Sequence, residues 1–594
     1  MGAYAISFGV ALASSLALTL LVRGGARKLK LVAKPRADRW HKKPTALYGG
    51  VGIFAAFLVS YLVRRPAHVP GDTLLVVCAT GMFVLGLVDD AVQLKPYAKL
   101  VGQIIFATVF TMFGMRLRWL PSAPFDQMLT VFWLVGITNA VNLLDSLDGV
   151  AGGVATIASA FMIYFCHMAG QGSIATLSAA FCGATLGFLG FNFNPASIFM
   201  GDCGSLFLGF FLGGAAIVNN QFAMRRNVVT ILTIPVLLLL LPIIDTTLVT
   251  VSRKLNGRPV SQGGRDHTAH RLVALGMSER AAALTLYGLA IVAGSVAILV
   301  RNVHWAIGAF VVPTFMMVLV FLVVFVGRAR VYEPVDSEKD GRGRALIPTL
   351  ADFTYKRRIF EVLNDLAVCV LAYYAAFLLR FDGQLLMPYY QQALAALPVV
   401  MITQLGAFLV FGLYRGLWRY TSMSDVSTLL KAVAGGWIAS LVGVLFAFRY
   451  ENMSRGMFVM DGVLLLGGIA GSRVFFRLLR TWIARFQPNP AAKRVIIYGA
   501  GDGGELLLRE LQNNRELNLN PVGFVDDDPQ KHGRMIHGVR VLGSLDRLGE
   551  FAGTEKVDEV VISTAKLNAD RSALVTQVCQ SAGLNCRRMR IALE

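Results

Sequence analysis

Residues Thr130–Gly153 read TVFWLVGITNAVNLLDSLDGVAGG. The first half belongs to an apolar run predicted to span a membrane over 128–144. The second half carries Asn139, Asn142, Asp145 and Asp148. The spacing i, i+3, i+6 of Asn142, Asp145 and Asp148 presents all three on one face of a helical turn. Amides and carboxylates at the edge of a span are costly to desolvate and usually functional. Gly149, Gly152 and Gly153 would let the next span approach closely. A span ending in a polar constellation therefore sets the fold class: an α-helical integral membrane protein.

The whole chain agrees. Its 594 residues are 55% hydrophobic and 15% charged, with a mean hydropathy of +0.59. Soluble domains carry about 25% charged residues, so a wholly soluble protein is excluded, and so is disorder. The net charge of +20 marks cytoplasmic loops in so apolar a chain rather than a nucleic-acid partner. The seven cysteines form no CxxC pair, which argues against a disulfide framework or a zinc site. The first apolar stretch, 4–22, has neither a basic leader nor a cleavage signal and reads as a retained span.

About eleven spans are predicted over residues 1–330 and about four over 361–480. Between them, 331–360 is a polar, Pro- and Gly-bearing linker. From 493 to 594 the composition becomes that of a soluble α/β Rossmann-like domain. The loop after the first span holds Arg23, Arg27, Lys28, Lys30, Lys34, Arg36, Arg39, Lys42 and Lys43 against Asp38 alone. That loop is expected to be cytoplasmic. Counting from it puts the polar groups and the C-terminal domain on the same side.

Three more polar groups lie at that face. LGLVDDAVQLKPYAKL pairs Asp89 and Asp90 with Lys95 and Lys99. Adjacent carboxylates suit a Mg²⁺ ion with a phosphate substrate, although acids also cap helix ends. NFNPASIFMGDCGSL sets Asp202 between glycines, as a metal ligand or a simple helix cap. VSRKLNGRPVSQGGRDHTAHRL gathers Arg253, Asp266, His267, His270 and Arg271, a composition suited to phosphate or, more blandly, to anionic lipid. Carboxylates for a metal and Arg/His for phosphates at one interface fit phosphoryl chemistry.

With DRWHKKPTALYGGVGIF, LPIIDTTLV and RDHTAHRL added, six motifs in order resemble the polyprenyl-phosphate N-acetylhexosamine-1-phosphate transferase family over residues 1–330. The resemblance implies eleven spans and a cytoplasmic active site in a bacterial plasma membrane. It further implies transfer of an N-acetylhexosamine-1-phosphate from a UDP-sugar to polyprenyl (undecaprenyl) phosphate, with release of UMP and initiation of a surface polysaccharide. By the same resemblance Asp89, Asp90, Asp145 and Asp148 would be catalytic. Asp90, Asp145 and Asp202 would hold Mg²⁺, with Mn²⁺ as the alternative. His41, Lys42, Lys99, Asn142, Arg253, His267, His270 and Arg271 would meet substrate. Ser146 replaces a family glycine, and Ala269 replaces the middle histidine of the loop, which turns the expectation away from a MurNAc-pentapeptide donor. That donor stays an alternative, and a transporter or an inactive assembly scaffold are remoter ones.

In the second half, the strand-forming RVIIY leads into Gly499, Gly501 and Gly504 and then a helical pattern, the setting of a dinucleotide loop. Asp526, Asp527 and Asp528 end the next strand, where Asp526 or Asp527 could accept from a ribose. Residues ~350–594 (RFDG, YRGLWRYTSMSD, IIYGAGDGGE, VGFVDDDP, GVRVLGS) resemble the front half of membrane nucleotide-sugar 4,6-dehydratases and epimerases. No second Gly-rich loop or Tyr-x-x-x-Lys pair follows before Glu594. The expectation is a domain without dehydratase activity that senses NAD or a nucleotide sugar, or that docks a nucleotide-sugar-modifying enzyme. A homo-oligomer is left open.

Overall fold

The computed structural model describes residues 2–33, 44–64, 69–221, 228–255, 264, 266–327, 353–384, 386–387, 389–414, 423–449, 454–485, 492–513, 517–555, 557–563 and 569–588. Its contacts divide the chain into two units, Met1–Phe486 and Gln487–Glu594.

In the first unit, α1 (Gly2–Lys28), α2 (Gly49–Arg64), α3 (Pro70–Val92), α4 (Pro96–Met112), α5 (Ala123–Leu144) and α6 (Val150–Met168) succeed one another. They are followed by α7 (Gly172–Asn192), α8 (Gly201–Gln221), α9 (Val228–Leu238), α10 (Leu240–Leu255), α11 (Thr268–Ala274), α12 (Glu279–Asn302) and α13 (Trp305–Gly327). A further bundle comprises α14 (Phe353–Arg380), α15 (Tyr389–Val410), α16 (Met423–Phe448) and α17 (Arg455–Arg485). Among the described residues, 12 helices are long and apolar enough to cross a membrane. The chain is a multi-pass membrane protein.

Two details depart from the sequence expectations. The span expected over 228–250 is interrupted at Leu239, one helical turn beyond Pro235. Hydrogen bonds from Leu239 N to the Pro235 carbonyl and from Ile243 N to the Leu239 carbonyl carry the helix across the break. Further on, α14 begins at Phe353, inside the stretch read as linker, because FTYKRRIFEVL continues a helix upstream of its apolar part.

The centre of the first unit is α8, with 89% of its apolar window buried. It lies against α2, α3, α5 and α6. Such contact needs small residues, since helices in lipid associate by close packing. At Gly86 of α3 a Cβ would stand 2.4 Å from the Asp202 carbonyl oxygen. Rings fill the rest, with Phe54 stacked on Phe83 and Phe181 on Phe211 at centroid distances of 4.1 and 4.4 Å. Between α4 and α5, Gln103 and Asn139 exchange side-chain hydrogen bonds of 2.6 and 3.2 Å, so neither amide is stranded inside the bundle. Short strands β1 (Val32–Ala33) and β2 (Thr45–Ala46) pair antiparallel. Ala46 also bridges to Ile198, and Gly49 N and Gly50 N donate to the Phe199 and Met200 carbonyls at 2.8 Å. The start of α2 is thereby pinned beside the segment leading into α8.

The second bundle has its own apolar core and two buried polar links. Arg473 makes a bidentate pair with Asp365, and Gln404 Nε2 donates to Asp461 Oδ2 at 2.9 Å.

The second unit contains β3 (Lys493–Tyr498), α18 (Asp502–Asn513), β4 (Leu519–Val525), β5 (Met535–Ile536), β6 (Val539–Gly543), α19 (Leu548–Glu555), β7 (Glu559–Ile562), α20 (Ala569–Ser581) and β8 (Asn585–Arg588). The sheet order is β5-β6-β4-β3-β7-β8, parallel except for the β5–β6 pair. This is a doubly wound α/β sheet with its order reversing beside β3. The burial pattern of β3 and β7, inward on both faces, explains the unbroken apolar runs in the sequence.

The glycine loop after β3 offers a clean test of close packing. A Cβ at Gly504 would sit 1.9 Å from the Gly499 carbonyl oxygen, whereas one at Gly501 meets nothing within 4 Å. Gly504→Ala should destabilise the second unit by roughly 1–3 kcal/mol and Gly501→Ala should be near neutral. Limited proteolysis of the full-length variants against temperature reads the difference.

Candidate functional site

The charged residues converge where α3, α4, α5 and α8 end or begin. Asp89 lies in the last turn of α3, and its Oδ1 accepts from Leu94 N at 2.7 Å, closing the turn into α4. Lys99, in the first turn of α4, places Nζ 3.0 Å from Asp89 Oδ2 and 2.7 Å from Asp202 Oδ2. Asp202 is the second residue of α8. Its Oδ1 accepts from Asn142 Nδ2 at 2.6 Å, and the same amide reaches Ser205 Oγ at 2.7 Å. Two carboxylates, a lysine and an amide from four helices thus form one hydrogen-bonded group.

Asp90 has a different task. Its two carboxylate oxygens accept from Asp202 N at 2.8 Å and Cys203 N at 2.9 Å. The first N–H groups of a helix lack internal partners, and an anion there also meets the positive end of the helix dipole. Asp90 is thus the cap that holds Asp202 in place.

Asp145 follows α5 directly. Burial, and then the negative charge of Asp202, Asp148 and Asp90, push its carboxyl up to about 7. Asp148 Oδ2 accepts from Ala196 N at 2.8 Å and from the Asn194 amide at 3.4 Å. Asn194 is held in turn by Glu279 Oε2 at 2.5 Å, and its carbonyl accepts from Arg280 Nε at 2.9 Å. Asp148 therefore shapes the turn that precedes Asp202. Glu279 and Arg280, which open α12, carry no motif that singles them out in the sequence.

The arginines of the His-bearing loop are directed inward. Arg253 makes a bidentate pair with Asp266, both bonds 2.7 Å, with both residues buried. Although burial favours the neutral acid, the hydrogen bond and charge of Arg253 outweigh it and hold Asp266 below the usual carboxylate range. Arg271 donates to the Asp266 carbonyl at 2.8 Å, and to the Gly327 carbonyl and Ser252 Oγ at 2.7 Å each. His267 Nδ1 lies 2.8 Å from Asp245 Oδ2, while Asp245 Oδ1 accepts from Thr268 N at 2.6 Å. The His267 and His270 rings meet edge to face at 5.9 Å. Ala269 and Leu272 of α11 share an apolar cluster with Leu144, Leu147 and Val150, which sets this loop beside the Asp145–Asp148 turn. Asp245 escaped notice as a site residue, although an acid inside LPIIDTTLV was a visible signal. His41 and Lys42 lie outside the described residues.

Among the described residues no three His, Cys, Asp or Glu side chains stand together as a ready-made metal cage; Asp90 is taken up by the start of α8, while the charge of Asp202 bears on Asp145. The donors present nevertheless suit Mg²⁺. That ion is held by one or two carboxylates and completed by phosphate oxygens and water, and Asp89 and Asp202 already converge on one cation, the Lys99 ammonium.

In the second unit, Gly499 and Gly501 lie in the turn between β3 and α18, and Gly504 in the first turn of α18. Asp526 Oδ2 accepts from Ala500 N at 2.7 Å and pairs with Lys531 at 3.0 Å, while its Oδ1 accepts from Asp528 N at 2.9 Å. Asp527 Oδ2 accepts from Tyr498 Oη at 2.5 Å. The acids expected at a ribose are engaged in holding the loop.

Residues 73–220 match the family described as Glycosyl transferase family 4, and residues 410–581 match a CoA-binding domain. A probable undecaprenyl-phosphate N-acetylglucosaminyl 1-phosphate transferase of Bacillus subtilis is 33% identical over 318 residues, covering 52% of this chain and 87% of its own. The decaprenyl-phosphate N-acetylglucosaminephosphotransferase of Mycolicibacterium smegmatis is 33% identical, covering 45% and 73%. A phospho-N-acetylmuramoyl-pentapeptide-transferase of Bacillus thuringiensis is 34% identical, covering 36% and 75%.

The inward arginines generate a prediction. Arg253→Ala leaves Asp266 as an uncompensated buried charge and should cost about 3–5 kcal/mol, lowering the thermal midpoint in detergent. The double variant Arg253→Ala/Asp266→Ala should recover part of that loss. A direct substrate contact would instead raise KM at an unchanged midpoint.

Proposed function

The chain belongs to glycosyl transferase family 4, the polyprenyl-phosphate sugar-1-phosphate transferases, and we propose that its donor is a UDP-N-acetylhexosamine. In this reading the phosphate oxygen of polyprenyl phosphate attacks the β-phosphorus, the bond to the α-phosphate oxygen breaks, and UMP leaves. The Asp89–Lys99–Asp202–Asn142 group carries the reading. It gathers carboxylate, ammonium and amide at the ends of four helices, where a soluble pyrophosphate and a lipid phosphate can meet. The surplus of basic residues in the loop after α1 supports a cytoplasmic location for that face in a bacterial plasma membrane.

Each side chain then has a stated task. Lys99 offers its charge to a phosphate oxygen, Asn142 orients Asp202, and Asp90 fixes the start of α8. Asp89, in reach of the same lysine, is the base proposed for the lipid phosphate. Asp202 and Asp145 would hold Mg²⁺. The ion, when bound, neutralises pyrophosphate charge and stabilises the leaving phosphate. His267, held by Asp245, and His270 face the nucleotide side of the reaction in this proposal.

The replacement of the middle loop histidine by Ala269 favours a simple N-acetylhexosamine over the MurNAc-pentapeptide donor. For the second unit we propose regulation by a nucleotide or nucleotide sugar, or the docking of a modifying enzyme. Its doubly wound sheet and CoA-binding-domain match support a nucleotide-type ligand.

Purified protein with Mg²⁺, polyprenyl phosphate and a panel of UDP-sugars should release UMP from a UDP-N-acetylhexosamine. Asp202→Asn should lower kcat by about 100-fold or more, in the range seen when one charge-stabilising group is removed. Normal turnover by that variant would remove Asp202 from the site. A truncation after about residue 330 should keep turnover but change its response to added nucleotides. An identical response would count against a sensing role.

A further inference from the structure

The other end of α3 carries a second acid. Asp72 lies in the first turn of α3, 17 positions before Asp89, which is about 25 Å along a helix at 1.5 Å per residue. The two acids therefore stand at opposite membrane faces. Asp72 is only 4% exposed, and its Oδ2 has no hydrogen-bond partner. Among the described residues no basic group stands within ion-pair distance of it.

Three further side-chain oxygens gather at the adjoining helix ends. Ser173, in the first turn of α7, is the hydroxyl directed at Asp72, and its Oγ has no partner besides that carboxyl. Gln171 precedes α7 without capping it. Its Nε2 instead donates to the Asn219 carbonyl at 3.0 Å, leaving Gln171 Oε1 without a partner. Asn219, 3% exposed near the end of α8, likewise has an unpartnered Oδ1. The ends of α3 and α8 are neighbours here: a Cβ at Gly71, next to Asp72, would stand 3.8 Å from Val218, next to Asn219.

A buried carboxylate and two buried amide oxygens without donors are costly. The set is all oxygen: one carboxylate, two amide carbonyls and a hydroxyl. Hard divalent cations take this mixture, which lacks the nitrogen and sulfur that zinc prefers. Three helices supply it, and all three ends lie at the face opposite the transferase group. We propose that Asp72, Gln171, Ser173 and Asn219 form a structural site for a hard divalent cation, Ca²⁺ or Mg²⁺, tying the ends of α3, α7 and α8 together.

Calcium is the probe that separates this site from the transferase group. Equilibrium dialysis of full-length Asp202→Asn protein with radioactive Ca²⁺ should show about one bound ion, with a rise in thermal midpoint over the same titration. Adding Asp72→Asn should abolish both, because the isosteric amide keeps the shape and removes the charge. Asn219→Asp in the same background adds a second carboxylate and should tighten Ca²⁺ binding by about tenfold or more. In otherwise wild-type protein, Asp72→Asn should leave UMP release with saturating Mg²⁺ within about twofold. Unchanged Ca²⁺ stoichiometry in the Asp72→Asn variant would overturn the proposal. So would no Ca²⁺ binding in its parent, which would leave Asp72 as a protonated acid or a water-filled polar pocket.

Discussion

Charge inside a membrane protein must be neutralised by the chain itself or by something the chain holds. That constraint arranges the first unit. Asp89 and Asp202 share the Lys99 ammonium, Asp90 is spent on the free N–H groups of α8, and Arg253 and Asp266 cancel each other in a buried pair. Around Asp145, by contrast, several acids bear on one another. Such crowding of acids at a helix end is the arrangement that a bound cation would relieve.

The fold was largely legible in the sequence because lipid demands long apolar helices, and these leave a strong signal. The interruption at Leu239 was less visible, since one proline in a continuously apolar run does not say whether the helix bends or breaks. The α/β unit was legible for a related reason. Strands buried on both faces read as short β-branched runs such as RVIIY, and a glycine loop next to one points to a parallel sheet.

At the site, residue type showed where chemistry gathers but not which partner each residue takes. Asp89 and Asp90 are indistinguishable neighbours in the sequence, yet on a helix adjacent side chains point about 100° apart. One therefore meets Lys99 and the other the start of α8. Arg253 and Arg271 read as phosphate ligands because arginine suits phosphate. Their carboxylate and carbonyl partners lie 13 and 56 positions away, and no local pattern reveals such pairings. Asp526 follows the same rule: its position at the end of β4 was predictable, but its use in bracing Ala500 N was not.

The contact of Gly86 with the Asp202 carbonyl has an evolutionary consequence. The residue that allows α3 and α8 to pack also fixes how far the Asp202 carboxylate stands from Asp89 and Lys99. Packing and chemistry are therefore not separately adjustable here. A substitution at position 86 would have to be accompanied by changes around position 202, so drift in the helix seam is restrained by the reaction it supports. The α11 loop is anchored separately, by its own ion pairs and by apolar contact with Leu144, Leu147 and Val150, and is freer to vary.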